Sequence, residues 1–183
     1  MPQRAGLGYD IHRLAAGRRL VLGGVAIEHP TGLVGHSDGD VLLHAVMDAV
    51  LGAANLGDLG SHFPSDDPRF AGADSQELLR QVGSKVREAG YAVVSIDATV
   101  IAEAPRLGAH VAAMRQAIAR GLGVTAETVS VKAKTNDGVA RSAQARRSPR
   151  WWWHWPRTNA KEKNRSSEPN PEPSASMTAP RDR

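Results

Sequence analysis

The segment Tyr9-Asp10-Ile11-His12, followed by Gly35-His36-Ser37-Asp38-Gly39-Asp40-Val41-Leu42-Leu43-His44, constrains the chain most. It supplies one carboxylate and two imidazoles, the usual three-ligand set of a catalytic zinc with an open fourth position. Asp10 and His12 are two residues apart, so on an extended segment they point the same way. His44 follows Asp40 by four residues in what reads as a helix, and these two share a helical face. A pair on extended chain meeting a helical His makes a tripod. Spacing alone leaves the alternative open, because a lone helical His is often packed or exposed and an isolated Asp-x-His is a weak signal.

The chain has 183 residues, which predicts one domain. Apolar residues make up 41%, enough for a core, and there is no Cys. Disulfides and thiolate metal sites are therefore excluded, and any metal must use nitrogen and oxygen ligands. No segment resembles a signal peptide or an apolar span of ~20 residues, so a cytoplasmic location is expected. The net charge of +4 is unevenly placed. Residues 1–138 hold 13 basic and 15 acidic side chains, a net of −2, and residues 139–183 hold 10 and 4, a net of +6. The basic character belongs to the tail, so it does not argue that the folded part binds nucleic acid.

Arg4 to Tyr9 reads as a first strand weakened by Gly6 and Gly8, and Leu20 to Ile27 as a hairpin turned at Gly23-Gly24. Gly32 to Gly39 reads as a Gly-rich loop. Ser37 or Asp38 then caps a helix to about Asn55, whose apolar face includes Leu42, Val46 and Ala49. Gly57 to Gly72 reads as a long loop, a length usually reserved for function or mobility. Asp74 and Glu77 start a helix that Gly90 stops. Tyr91 to Ala102 reads as a strand with Val94, Ile96, Ala98 and Val100 on one face. A helix carrying Val111, Met114 and Ile118 closes at Gly121, and Val129 to Ala133 forms a last strand. Alternating strands and helices predict a single α/β (α+β) domain, a mixed sheet with helices on one face.

The stretches GYDIHRL, GHSDGDVLLHAVMDAVLGAANLGDLGSHFPSDDP, IDATVIAEAPRL and VSVKA occur in this order. Together they resemble the 2-C-methyl-D-erythritol 2,4-cyclodiphosphate synthase family from about Arg4 to Gly138. The resemblance implies a cyclising lyase of non-mevalonate isoprenoid biosynthesis. In that reaction the 2-phosphate of a cytidyl diphosphate substrate attacks its own β-phosphorus and CMP leaves. It further implies that Asp10, His12 and His44 hold a zinc-like ion, with Ile11 beside them on the substrate, and that Mg²⁺ or Mn²⁺ binds at Asp137. A homotrimer with sites between subunits is expected.

Residue by residue, the resemblance places His36 and Ser37 at the phosphate site, with His36 positioning the attacking phosphate. Without it, Ser37 is an ordinary residue of a helix start. Asp38 and Asp40 read as structural, with a role for Asp40 in holding a ligand His left open. Asp58-Leu59-Gly60 and Phe63-Pro64-Ser65-Asp66-Asp67 read locally as turn chemistry; the resemblance assigns them to the erythritol. Ser65-Asp66-Asp67 departs from the commoner Asp-Thr-Asp, which makes Asp67 the surer match. Ala102-Glu103-Ala104-Pro105-Arg106-Leu107-Gly108 reads locally as a strand boundary, and by resemblance as a cytosine pocket of backbone groups. Lys134-Thr135-Asn136-Asp137 matches a run usually rich in Thr. Thr135 keeps the phosphate-contacting position, while Lys134 and Asn136 replace threonines.

The tail departs from the pattern. It holds all four Trp and six of the eleven Pro, has no periodicity, and is expected to be disordered and out of frame. The family continues after Gly138 with roughly x-LGFTGRGEGIAA and an apolar strand. Trp is encoded only by TGG, so Trp151-Trp152-Trp153 preceded by an Arg150 codon ending in G gives Val-Val-Val in one shifted frame. Permitted codons on either side complete GALGAGEAIAAVVVALA. Three alternatives follow: a family member crippled by its tail, a different zinc-dependent phosphoryl enzyme, and a basic protein binding single-stranded nucleic acid through its Trp cluster.

Overall fold

The computed structural model describes residues 3–137. Strand β1 (Leu14–Ala16) pairs antiparallel with β4 (Thr31–Leu33), and β2 (Leu20–Leu22) pairs antiparallel with β3 (Val25–Ile27). β5 (Ile96–Ile101) pairs parallel with β6 (Val129–Lys134), in register from Ile96↔Val129 to Ile101↔Lys134. The helices are α1 (Val41–Ala54), the short α2 (Leu59–His62), α3 (Ser75–Glu88) and α4 (Val111–Leu122). The chain is thus a mixed α/β domain whose strands, among the described residues, run as three two-stranded ladders. Residues 139–183, with the expected tail disorder, lie outside the described residues.

The three long helices pack side by side, α1 on α3 and α3 on α4, and α4 lies on β6. In α3, Leu78, Leu79, Val82 and Val86 recur at helical spacing and are buried, while Arg80, Lys85 and Arg87 face outward. α1 is apolar on most sides because it is covered on most sides; Leu43, Met47 and Leu51 are fully buried. On the β5–β6 pair, Val100, Val129 and Val131 point into the core. Asp97, Thr99, Ser130 and Lys132 lie on the exposed face. Helices therefore cover one face of this parallel pair, and α4 is its crossover.

Four local expectations are corrected. No strand forms over Arg4 to Tyr9; the first lies at Leu14–Ala16. Gly6 and Gly8 are there for close approach, since a methyl on either would overlap the backbone carbonyl of Ala49 or Ala45 on α1. The segment lies along a helix, where it has no strand ladder to join. Second, Gly32 and Leu33, the start of the segment read as loop, belong with Thr31 to β4, which pairs with β1. Third, the N-cap of α1 is Asp40 and not Ser37 or Asp38. Fourth, Gly121 sits buried within α4, where a methyl would strike Leu79; Gly123, with φ 71°, ends the helix.

Asp40 is the central polar contact. Its side chain is fully buried and accepts hydrogen bonds from Leu43 N (3.0 Å), Gly23 N (2.9 Å) and Gly24 N (2.6 Å). The first caps α1; the other two hold the β2–β3 turn, where Gly23 and Gly24 both have positive φ as a tight hairpin turn demands. Burial pushes the Asp40 carboxyl above the usual carboxylate range, against the pull of the three amides.

Asp40→Ala should cost about 2–4 kcal/mol in denaturant unfolding, because it removes a cap and orphans buried amides. Gly8→Ala should lift the ligand-bearing segment from α1. We expect it to destabilise the protein by about 1–3 kcal/mol in denaturant unfolding.

Candidate metal centre and substrate cleft

The extended segment before β1 carries Asp10 and His12, and the second turn of α1 carries His44. One ligand atom from each lies within 4.8 Å of the others. Asp10 Oδ2 is 3.0 Å from His12 Nε2 and 2.9 Å from His44 Nδ1. The other oxygen, Oδ1, accepts the Ile11 amide at 2.7 Å, which aims Oδ2 at the two rings. That is the contribution of Ile11; its side chain is exposed. The rings stand 5.3 Å apart and tilted by 59°.

His44 is buried, and its Nε2 lies 3.0 Å from Ser37 Oγ and 3.1 Å from Ser75 Oγ. His12 Nδ1 is buried with no hydrogen-bond partner. Gly35 makes room for the ring: a methyl there would press on His12 Cε1 at 3.0 Å. Two imidazole nitrogens and a carboxylate oxygen converging on one point suit a borderline-soft divalent cation. Asp137, expected at a second cation, is in no such cluster among the described residues.

These groups open into a cavity of about 410 Å³. His36, Ser37, Asp58, Leu59, Gly60, Phe63 and Ser65 line it as the sequence predicts. Asp58 caps α2, accepting from Ser61 N (2.8 Å) and Ser61 Oγ (2.6 Å), and the Ser61 hydroxyl holds its carboxyl below the usual range. Pro64, Asp66 and Asp67 do not line the cavity. The Asp67 carboxylate is engaged by Arg69, which lowers its pKa, and its carbonyl accepts from His36 Nε2 at 3.2 Å. Ser65, one of the two residues that depart from the commoner pattern, lines the cavity.

Sequence reasoning missed Tyr9, Gly35, Asp48, Phe70 and Leu78 as lining residues. Asp48 carried a usable signal, since it lies one turn beyond His44 on the same face of α1. Its Oδ1 accepts the Leu59 amide at 2.7 Å and so ties α2 to α1. Phe70 had none, because only folding sets it edge-on against Phe63, 5.3 Å between centroids. Asp40 does not hold a ligand His; its carboxylate serves the hairpin and the helix cap.

The remaining predicted residues gather elsewhere. Ala102 to Gly108 and Lys134 to Asp137 follow the carboxyl ends of the parallel pair β5–β6, where loops of such sheets commonly meet ligands. The Ala102 amide donates to Lys134 O (2.9 Å), and Glu103 Oε1 accepts the Asn136 amide (3.1 Å). Thr135 Oγ1 donates to Asp137 Oδ1 at 2.7 Å. Leu107 is buried, and Ala104, Arg106 and Lys134 are exposed. None of these residues lines the cavity of the metal centre. Among the described residues, no helix is long and apolar enough to cross a membrane.

Comparison with known proteins agrees with this geometry. Residues 3–147 match the model of the YgbB family, extending past Gly138. The 2-C-methyl-D-erythritol 2,4-cyclodiphosphate synthase of Bordetella avium is 58% identical over 139 residues, which are 76% of this chain and 86% of that relative. A solved structure of a 2C-methyl-D-erythritol-2,4-cyclodiphosphate synthase in its CDP-bound form superposes with a TM-score of 0.70 at 37% identity, covering 75% of this chain and 91% of that one. The bifunctional IspDF from Campylobacter jejuni gives 0.71 at 43% identity over 74% of this chain, which spans 37% of that larger protein. From the ligand triad outward, sequence and fold place this chain in the YgbB family.

Proposed function

We propose that the chain converts 4-diphosphocytidyl-2-C-methyl-D-erythritol 2-phosphate to 2-C-methyl-D-erythritol 2,4-cyclodiphosphate, releasing CMP in the cytoplasm. The observation that carries this reading is the convergence of Asp10, His12 and His44 on one point at the mouth of the cavity. The relatives and solved structures bearing that enzyme's name support it.

An oxygen of the 2-phosphate forms the new bond to the β-phosphorus, and the bond from that phosphorus to the oxygen bridging the α-phosphate breaks. No protein nucleophile is required; catalysis is positioning and charge stabilisation. Asp10, His12 and His44 would hold zinc, and Asp137 a Mg²⁺ or Mn²⁺. When bound, these cations would offset the charge of the diphosphate and lower its repulsion of the attacking phosphate. His36, exposed at the cavity wall with its ring docked on the Asp67 carbonyl, orients the 2-phosphate with Ser37. Asp58, Leu59, Gly60 and the Phe63–Asp67 loop receive the erythritol. Backbone groups of Ala102 to Gly108 hold the cytosine, and Lys134, Thr135 and Asn136 meet the diphosphate.

Within one chain these two groups of residues do not line a common cavity, which favours a site completed by a neighbouring subunit. Leu7, Tyr9 and Ile11, 93%, 75% and 74% exposed on the ligand-bearing segment, suit burial in the expected homotrimer. We also propose that residues 1–138 are the catalytic domain and that 139–183 are read out of frame, by the Trp-codon argument above.

His44→Ala should remove the bound zinc and lower CMP release at least ~100-fold while far-UV dichroism stays unchanged. Full zinc occupancy in that variant would contradict the ligand assignment. Light scattering should show a weak trimer for the 183-residue chain. It should show a stable, more active trimer for a version carrying GALGAGEAIAAVVVALA after Asp137. A gene in which no single insertion or deletion near codon 138 restores that strand would contradict the frame reading.

A further inference from the structure

We propose that Ser75, held by Asp38, is a positioning residue that fixes His44 in the Nε2–H tautomer and so presents Nδ1 to the cation; this rests on the metal reading above. Ser75 begins α3 and is fully buried. Its Oγ lies 2.5 Å from Asp38 Oδ1, and its amide donates to Asp38 Oδ2 at 3.1 Å. Asp38 Oδ1 also accepts the Asp40 amide at 3.1 Å, which anchors the carboxylate.

The protons can be assigned by counting. A carboxylate accepts only, and a Ser hydroxyl has one proton. The short contact places that proton on the bond to Asp38. Towards His44 Nε2, 3.1 Å away, Ser75 Oγ is left only lone pairs, so the ring nitrogen must donate. Ser37 Oγ, 3.0 Å from the same nitrogen, accepts the Gly39 amide at 3.2 Å and can share the ring proton, its own proton then turning to Ser75 Oγ at 3.5 Å. With Nε2 protonated, the Nδ1 lone pair of the neutral ring faces Asp10 Oδ2 at 2.9 Å. Two acceptors at that distance need a positive centre between them, which is a proton in the metal-free protein and the cation in the loaded one. His12 has no such device, since its Nδ1 has no partner, and it is the adjustable ligand of the pair. A carboxylate that fixes a ligand His through an intervening group is a recognised way to set tautomer and ligand basicity. Here the intervening group is a hydroxyl at the start of another helix.

The test measures zinc affinity of the 183-residue protein and its Ser75→Ala, Ser75→Thr and Asp38→Asn variants by competition with a chromophoric chelator. Ser75→Ala and Asp38→Asn should bind zinc about 10–100-fold more weakly. Ser75→Thr should restore wild-type affinity, because it keeps the hydroxyl. Nitrogen-15 spectra of the metal-free protein, at a pH where the ring is neutral, should show His44 protonated at Nε2 in wild type and Ser75→Thr. A mixture of tautomers is expected in Ser75→Ala. The spectrum of wild type alone decides the point if Ser75→Ala fails to fold. A folded Ser75→Ala with unchanged zinc affinity, or a wild-type His44 with a bare Nε2, overturns the inference while leaving the metal centre in place. Wild type that takes up no stoichiometric zinc overturns both.

Discussion

The buried carboxylate of Asp40 is the contact on which the rest of the site depends. Three backbone amides from two distant parts of the chain converge on it: Gly23 and Gly24 in the hairpin turn, and Leu43 in the first turn of α1. A buried charge is costly unless fully hydrogen-bonded, and here the bonds come from groups that would otherwise be orphans themselves. The start of α1 is thereby fixed against the β2–β3 hairpin. One helical turn later His44 faces the cavity, and one turn beyond it Asp48 ties down α2.

The ligand-bearing segment is held by a different force. Gly6 and Gly8 let it lie on the carbonyls of α1 at a separation that any side chain would forbid. Asp10 and His12 reach His44 because of this contact. The triad is thus built from two elements fixed by separate means, a hydrogen-bonded helix start and a close backbone approach. The polar chain from Asp38 through Ser75 to His44 then ties α1 to the start of α3. Loop segments close the wall: Gly72 N donates to His36 O (2.8 Å), and Asp38 N to Ala73 O (3.0 Å).

Charge placement separates roles among the carboxylates. Asp40 is buried and structural. Asp58, exposed, and Asp67, half-buried, are held below the usual range by Ser61 and Arg69 respectively. Both depressed values mean that any stability they add is present at neutral pH and is lost as pH falls through the folded value. Asp58 stands on the cavity wall with its carboxylate held by Ser61. Asp67 lies outside the cavity lining, its carboxylate occupied by Arg69 and its backbone carbonyl accepting from His36.

Much of this was legible in the residues. The Asp10, His12 and His44 set, the hairpin at Gly23-Gly24, the α3 cap at Asp74 and the two strands flanking α4 each follow from local chemistry: ligand type, turn glycines, capping and periodicity. The resemblance added roles that spacing cannot supply. Misread were the places where a distant partner decides. The segment Arg4 to Tyr9 looked like a poor strand because nothing local shows the helix it lies on. Gly32 and Leu33 looked like loop because their ladder partner is far away in sequence. Asp40 read as structural, and only folding showed that it serves two glycine amides of a distant hairpin as well as the helix cap. Ser75 had no local signal at all. The sequence by itself determined which atoms can bind a cation and which segments are helical, since those properties belong to side chains and their immediate neighbours. The tertiary structure alone decided which nitrogen of each His faces the shared Asp10 oxygen and which carboxylates are tied to neighbouring groups, because both depend on hydrogen bonds between elements that only packing brings together.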